Sequence, residues 1–296
     1  MNCGLQFTSH TGFSSYGPYS RYEHSVGVAC IIWRFTHDKK QTLAGLFHDI
    51  STRVFSHVID FVKKDYLVQE STEDETRQII LQDSVIMNQL LCDGISVDEV
   101  SDYHLYPIAD NDSPRLSSDR LEYTLGNLLN YRKHTIKEIE KYFNDLVVGI
   151  SEYGSQEIMF QHPEIAEEFA FGALSCGIIY SCDFDRYGME KLACILRKAF
   201  EETILTESDL YLTEIEVIKK LSESCLHDAW NEYTRLQDVT KDFAGDLMVD
   251  AKKRYIDPYI CKHGRVTTFS AAFKNAVNEF KNIDYHYLMK GIYRNG

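Results

Sequence analysis

Residues 21–50 read RYEHSVGVACIIWRFTHDKKQTLAGLFHDI. After His24, the residues Val28, Ile31, Ile32 and Phe35 recur at three- and four-residue steps. Leu43, Leu46, Phe47 and Ile50 do the same around the doublet His48-Asp49. Apolar residues at that spacing share one face of an α-helix. Two amphipathic helices are therefore expected in succession, one opening on a histidine and the other closing on a His–Asp pair. Polar side chains at the ends of otherwise apolar helices point to where a core meets a cleft.

The helical period continues outward. Ile79, Ile80, Val85, Ile86, Leu90 and Leu91 follow an acidic first turn at Glu73–Glu75. Leu121, Leu125, Leu128 and Leu129 follow Ser117 or Ser118, either of which suits an N-cap. Long periodic stretches occupy 163–182 and 186–205, and further helices are expected over 209–223, 225–238 and 240–253. Strand-like alternation is scarce and short, and there are only five prolines to interrupt helices. The expected fold is mostly α. Loop signals gather at 10–20, 109–117 and 255–268. The stretch 149–163 marks the expected boundary between a unit over 1–150, which includes an N-terminal arm, and a C-terminal helical lobe over 151–296 packed on it.

Charge and composition narrow the function classes. The 296 residues hold 31 Lys plus Arg against 45 Asp plus Glu, a formal charge of −14. That balance disfavours non-specific nucleic-acid binding, which needs a basic surface. It leaves room for a small phosphorylated substrate where a cation and a few basic residues reverse the local potential. No 18-residue apolar run is present, so no membrane span is expected. The start MNCGLQFTSH lacks a basic and then apolar leader, and the expected compartment is the cytoplasm. The eight cysteines contain no CxxC pair and are expected to be reduced, buried thiols. Lys252-Lys253-Arg254 reads as a solvated helix end whose cations complement the helix dipole.

Three segments carry candidate chemistry: Arg21–Val28; His48-Asp49 with Phe55-Ser56-His57-Val58-Ile59-Asp60; and Ser118-Asp119-Arg120-Leu121-Glu122-Tyr123. His24, His48, Asp49 and Asp119 offer two imidazoles and two carboxylates with no thiolate. Such a set suits Fe, Mn, Co, Ni or Zn with positions open to solvent and substrate, rather than a closed structural zinc site. Spacing alone leaves a plainer alternative open: two partly buried histidines, one of them bonded to a carboxylate.

Taken together and in this order, RYEHSVGVA, FHDI with FSHVID, and SDRLEYT resemble the HD superfamily. Within it they most resemble the deoxynucleoside-triphosphate triphosphohydrolase branch. The resemblance covers roughly residues 18–130, with a fainter echo at Arg254-Tyr255-Ile256-Asp257-Pro258. It implies an HD-domain helical bundle whose metal ligands are His24, His48, Asp49 and Asp119. It also implies that Arg21 contacts the nucleotide, that Tyr123 lies near the phosphates, and that His57 with its carboxylate partner Asp60 is the catalytic pair. The family pattern H-D-x-G-H-G-P-F-S-H is altered here to His48-Asp49-Ile50-Ser51-Thr52-Arg53-Val54-Phe55-Ser56-His57. Thr52 replaces a histidine, both glycines are gone, and Arg53 is the candidate substitute positive charge toward the substrate. A later His–Glu pair of the family is matched only by Gln69-Glu70.

The expected activity is divalent-metal-dependent hydrolysis of a phosphate ester or anhydride, with nucleotides the leading substrate class and Mg²⁺ accompanying the substrate as a further option. The competing expectation is a nucleotide-binding regulatory protein that kept the pocket and lost turnover, motivated by Thr52. A third reading, a dinuclear iron oxygenase, needs two more histidines between Asp49 and Asp119, where only His57 and His104 occur. His104 is expected in a loop or on the surface. The expected partner is a small phosphorylated molecule, with no membrane and no strong nucleic-acid binding. The resemblance also allows a homo-oligomer.

Overall fold

The computed structural model describes residues 19–62, 75–131 and 133–294. Most of the N-terminal arm, Gln69-Glu70 and the acidic pair Glu73-Asp74 lie outside the described residues. Helix α1 (Arg21–Thr36) opens with a capping box: Ser20 Oγ accepts the Glu23 N–H, and the Glu23 carboxylate accepts the Ser20 N–H. That cap places Arg21 and His24 on the first turn. Helix α2 (Lys39–Phe47) begins at Asp38, whose carboxylate accepts the N–H groups of Lys40 and Gln41. The two helices pack together because Gly45 carries no side chain; a Cβ there would lie 2.2 Å from Ile32 Cδ1. This close approach carries His48, at the end of α2, toward His24.

Helix α3 (Val58–Val62) follows two buried residues held in the left-handed region, Phe55 (φ 61°) and Ser56 (φ 49°). Side chains bearing a Cβ disfavour that region, so packing has to impose it. The expected single helix near 79–91 is instead α4 (Thr76–Gln82) and α5 (Ser84–Asp93). Asp83 ends the first and caps the second through the N–H groups of Val85 and Ile86. Helix α6 (Ser118–Asn130) is capped by Ser117, whose hydroxyl accepts the Arg120 N–H. The remaining helices are α7 (Ile136–Asn144), α8 (Pro163–Tyr180), α9 (Asp183–Glu201), α10 (Glu214–Ser222), α11 (His227–Tyr233), α12 (Val266–Phe269) and α13 (Ala271–Lys281). The fold is mostly α, as expected.

Two small sheets complete it. Strands β1 (Leu146–Ile150) and β2 (Gln156–Phe160) form a hairpin with Leu146 opposite Phe160. Strand β3 is Leu236–Lys241, β4 is Tyr259–Ile260, β5 is Gly264–Arg265 and β6 is Met289–Tyr293. β2 pairs parallel with β4, β4 antiparallel with β5, and β3 antiparallel with β6.

Several sequence expectations are corrected here. The helix expected over 225–238 stops at Tyr233, and residues 240–253 are not helical. Leu247 bridges to Met289, and Gly245 sits where a Cβ would come 2.4 Å from the Met289 carbonyl oxygen. Pairing with a strand distant in sequence overrides local helical preference. Lys252-Lys253-Arg254 is consequently not a helix end. Helices α7 and α13 were not anticipated. Among the described cysteines only Cys176 is fully buried, while Cys30, Cys92 and Cys225 are exposed; all of those described are free thiols.

Two large apolar clusters each draw on residues from both sides of position 150. One joins Val54, Phe55 and Ile59 to Leu192, Leu196, Leu221 and Trp230. The other joins Ile31, Leu121 and Leu128 to Phe160, Phe169 and Phe273. The first fastens the His57 segment to α9, and the second fastens α1 and α6 to α8. No single described helix is long and apolar enough to cross a membrane.

Candidate metal centre

The end of α2, the start of α1 and the first turn of α6 meet at one point. His24 Nε2 lies 3.2 Å from His48 Nε2, 3.0 Å from Asp119 Oδ1 and 3.7 Å from Asp49 Oδ2. His48 Nε2 lies 3.4 Å from Asp49 Oδ2 and 3.8 Å from Asp119 Oδ1. The opposite ring nitrogens are both engaged. His48 Nδ1 donates to the Gly45 carbonyl at 2.7 Å, and His24 Nδ1 donates to Glu122 Oε2 at 2.5 Å. The Gly45 carbonyl can only accept, so the His48 proton sits on Nδ1 and its Nε2 keeps a lone pair toward the centre. His24 Nε2 faces it across the centre, beside Asp119 Oδ1. That arrangement repels unless a proton or a cation lies between them.

The surrounding charge asks for such a cation. Burial by itself would depress the His24 imidazole, but hydrogen bonds to Asp119 and Glu122 outweigh it and push the pKa up to about 10. Burial would raise the Asp119 carboxyl, yet its hydrogen bond to His24 brings it down to about 2. Asp49 is likewise held well below the usual carboxylate range, against its burial, by the Arg21 guanidinium and the two imidazoles. A divalent cation fits this donor set: neutral imidazoles supply two nitrogens, and two carboxylates balance its charge.

The supporting residues fix the donors. Arg21 pairs with Asp49 Oδ2 and donates through Nε to Ser56 Oγ at 3.2 Å. Thr52, standing where the resembled family has a histidine, donates to Asp49 Oδ1 at 2.9 Å. Glu122 also accepts from the Tyr19 hydroxyl. It fits beneath α1 because Gly27 has no side chain; a Cβ there would lie 2.5 Å from Glu122 Oε1. Carboxylates that hold the distal nitrogen of a ligating imidazole typically matter about 10–100-fold in metal affinity. Glu122→Gln is therefore expected to weaken metal binding by about that factor with the fold intact, checked by competition with a metal indicator and by circular dichroism.

The centre opens into a cavity of about 780 Å³. Arg21, His57 and Tyr123, which the resemblance implies at the substrate, all line it. His57 Nδ1 lies 3.2 Å from Asp60 Oδ2, with Asp60 buried and the imidazole 40 % exposed. Confinement in the wall, together with the charges of Arg254 and Arg21, holds His57 below its usual 6.5 against the pull of Asp60. Burial, followed by the nearby Asp119 charge, pushes the Tyr123 phenol up to about 12.

Arg53 stands elsewhere, and its expected place facing the substrate is corrected. It is buried, pairs with Glu75 at 2.9 Å, lies 5.9 Å from the Tyr211 ring and is absent from the cavity wall. The turn at Phe55-Ser56 presents the following His57 to the cavity, while Arg53, just before it, points the other way.

The sequence reading left three residues of the centre unassigned. Glu122 belongs to the SDRLEYT motif without an assigned role; its place three residues after Asp119 on α6 is a usable signal, since that spacing puts both on one face. His104 lies in a short 3₁₀ turn, exposed as expected, yet it lines the cavity and bonds Asp102 at 3.0 Å. Arg254 also lines the cavity, and the helical expectation for its segment concealed it. A second group of donors, His134, Glu138 and Glu168, lies within 4.8 Å of one another. There Glu168 already accepts from Lys141 and Tyr142, and Glu138 caps α7 through Thr135.

No family model matches the chain. It is 28 % identical over 286 residues to the uncharacterized protein YdhJ of Bacillus subtilis, covering 93 % of this chain and 84 % of that one. It is 29 % identical over 141 residues to metal-dependent phosphohydrolase cns2 of Cordyceps militaris, covering 46 % of this chain and 39 % of that protein. A crystal structure of a hypothetical protein from Aquifex aeolicus matches with a TM-score of 0.53 and 16 % identity, over 81 % of this chain and 69 % of that one, a likeness of fold. The chain thus has weak homology to a metal-dependent phosphohydrolase.

Proposed function

We propose that this chain is an HD-type, divalent-metal-dependent phosphohydrolase that cleaves a small phosphate ester or anhydride, with nucleotides the leading substrate class. One observation carries the reading: two Nε2 atoms from separate helices face each other at 3.2 Å, each with its Nδ1 anchored, with Asp49 and Asp119 beside them. Partial homology to a named metal-dependent phosphohydrolase supports it. His24, His48, Asp49 and Asp119 would hold the ion. When bound, a divalent cation supplies Lewis acidity at a phosphate oxygen.

The chain's own groups do the rest. His57 is neutral at pH 7, because its pKa lies below 6.5. With Nδ1–H held by Asp60, its Nε2 accepts a proton from the attacking water. The Tyr123 phenol stays protonated and donates to a substrate oxygen. Arg21 holds Asp49 in place and adds positive charge at the cavity wall. Positioning and charge neutralisation of this kind supply most of the catalysis in phosphoryl transfer.

Elemental analysis of the purified chain, followed by a phosphate-release screen of nucleotides and other esters with the identified metal supplied, tests the reading. The expected result is about one divalent ion per chain and release of inorganic phosphate. A chain that binds no metal and releases no phosphate would overturn it. A second reading, a nucleotide-binding regulator without turnover, is favoured by Thr52, whose hydroxyl is tied to Asp49 where the resembled family has an imidazole. Saturable nucleotide binding by calorimetry with no product over long incubation separates the two.

A further inference from the structure

Residues 246–257 form an irregular strap whose middle lines the cavity, where a helix was expected as far as residue 253. Asp250, Ala251, Lys252, Lys253, Arg254 and Tyr255 all contribute to the wall. The strap is fastened along its length. Tyr187 Oη donates to Asp246 Oδ1 at 3.0 Å. Arg186, 1 % exposed, donates to the Val249 carbonyl, and its guanidinium lies 4.8 Å from each of the Tyr285 and Tyr287 rings. Lys253 Nζ donates to the Lys281 and Ile283 carbonyls at the end of α13. The Asp257 N–H donates to the Pro114 carbonyl at 2.8 Å.

These anchors sort the three consecutive cations. Lys253 is committed to the carbonyls at the end of α13. Lys252 is exposed. Arg254 is half-buried in the cavity wall, with its main chain laid directly on α8. The contact is at Gly177: a Cβ there would lie 2.2 Å from the Arg254 carbonyl oxygen. That oxygen belongs to the backbone and cannot swing aside as a flexible side chain could. Any side chain at 177 must push the strap, and Arg254 with it, off α8.

We propose that Arg254 receives the substrate's phosphate beside His57, and that Gly177 is the positioning residue that lets the strap set it there. The inference rests on the phosphohydrolase reading above. A guanidinium offers two parallel N–H groups that match two phosphate oxygens, which an ammonium cannot do. Arg21, the other arginine acting on His57, is paired with Asp49 and so serves the metal-ligand side of the cavity. Arg254 reaches the same cavity from the strap, a segment far along the chain from Arg21.

The test is a calorimetric titration of inorganic phosphate into the full chain, metal-stripped and Mn²⁺-loaded, for wild type, Arg254→Gln, Arg254→Lys, Gly177→Ala and the Gly177→Ala/Arg254→Gln double variant. Arg254→Gln should weaken phosphate binding about tenfold or more in both states, as expected for losing a charge-assisted hydrogen-bond pair. Arg254→Lys should recover part of the loss. Gly177→Ala should weaken binding comparably, and the double variant should be no weaker than Arg254→Gln alone. Wild-type affinity in Arg254→Gln overturns the role of Arg254, and additive losses in the double variant overturn the role of Gly177. If Gly177→Ala fails to fold, the Arg254 variants still decide the first point. A wild-type chain that binds no phosphate and releases none from any ester overturns the phosphohydrolase reading together with this inference. Phosphate release by wild type, with Arg254→Gln binding phosphate normally, removes only this inference.

Discussion

Asp49→Ala is expected to leave the chain without bound metal and without phosphate release. Asp49 Oδ2 lies 3.4 Å from His48 Nε2 and 3.7 Å from His24 Nε2, so it closes one side of the centre. Arg21 and Thr52 both grip its carboxylate. Removing it takes one negative charge from the cation and leaves the Arg21 guanidinium facing two imidazoles. Both changes disfavour a cation at the same point. The metal content should fall from about one ion per chain to under a tenth, and kcat/KM should fall by about 10³ or more. Asp49→Asn, which keeps the shape and removes the charge, should do nearly the same, so the loss can be assigned to charge rather than to a void. Metal content by plasma emission and phosphate release on the same samples check this; retention of both would end the case for the centre.

His57→Ala should separate chemistry from metal binding. The imidazole lies outside the cluster of metal donors, so metal content should stay at the wild-type level. A positioned general base typically contributes about 10²–10⁴ in rate, and kcat should fall within that range. The pH profile carries the sign. His57 is held below 6.5, so its neutral form dominates at pH 7 and above, and activity should decline only as the pH falls through that lowered value. The acid limb of kcat/KM should therefore have its midpoint below 6.5 and should vanish in His57→Ala. Asp60→Asn removes a neighbour that favours the protonated ring, so its acid limb should move to still lower pH. A His57→Ala protein with wild-type kcat would show that the proton is carried elsewhere, with His104 the next residue to examine.

Much of the fold is legible in the sequence. The period of Val28, Ile31 and Ile32, and of the leucines on α6, placed those helices within a few residues, because an apolar stripe has to face a core wherever that core lies. Ser117 marked the start of α6 through the need of the first N–H groups for an acceptor. Of the four side chains expected at the centre, the structure sets donor atoms of His24, His48 and Asp49 within 4.8 Å of one another, with Asp119 Oδ1 3.0 Å from His24 Nε2. Where the reading failed, a partner distant in sequence had decided the outcome. Residues 240–253 carry helix-forming residues, yet strand β6 recruits their start and Gly177 receives Arg254, the residue just past their end. Arg53 and His57 stand four residues apart, and the left-handed turn between them sends one to Glu75 and the other to the cavity.

Sequence by itself therefore determined the helical class of this protein and supplied the imidazoles and carboxylates proposed for its centre. Periodicity and donor chemistry are properties of neighbouring residues and are written locally. Tertiary structure alone decided which cations face the cavity, which carboxylate orients His24, and how a strap from far along the chain comes to lie on α8. Those outcomes depend on close approaches at Gly27, Gly45 and Gly177, where the absence of one carbon atom matters only once the opposing backbone or side chain is in place.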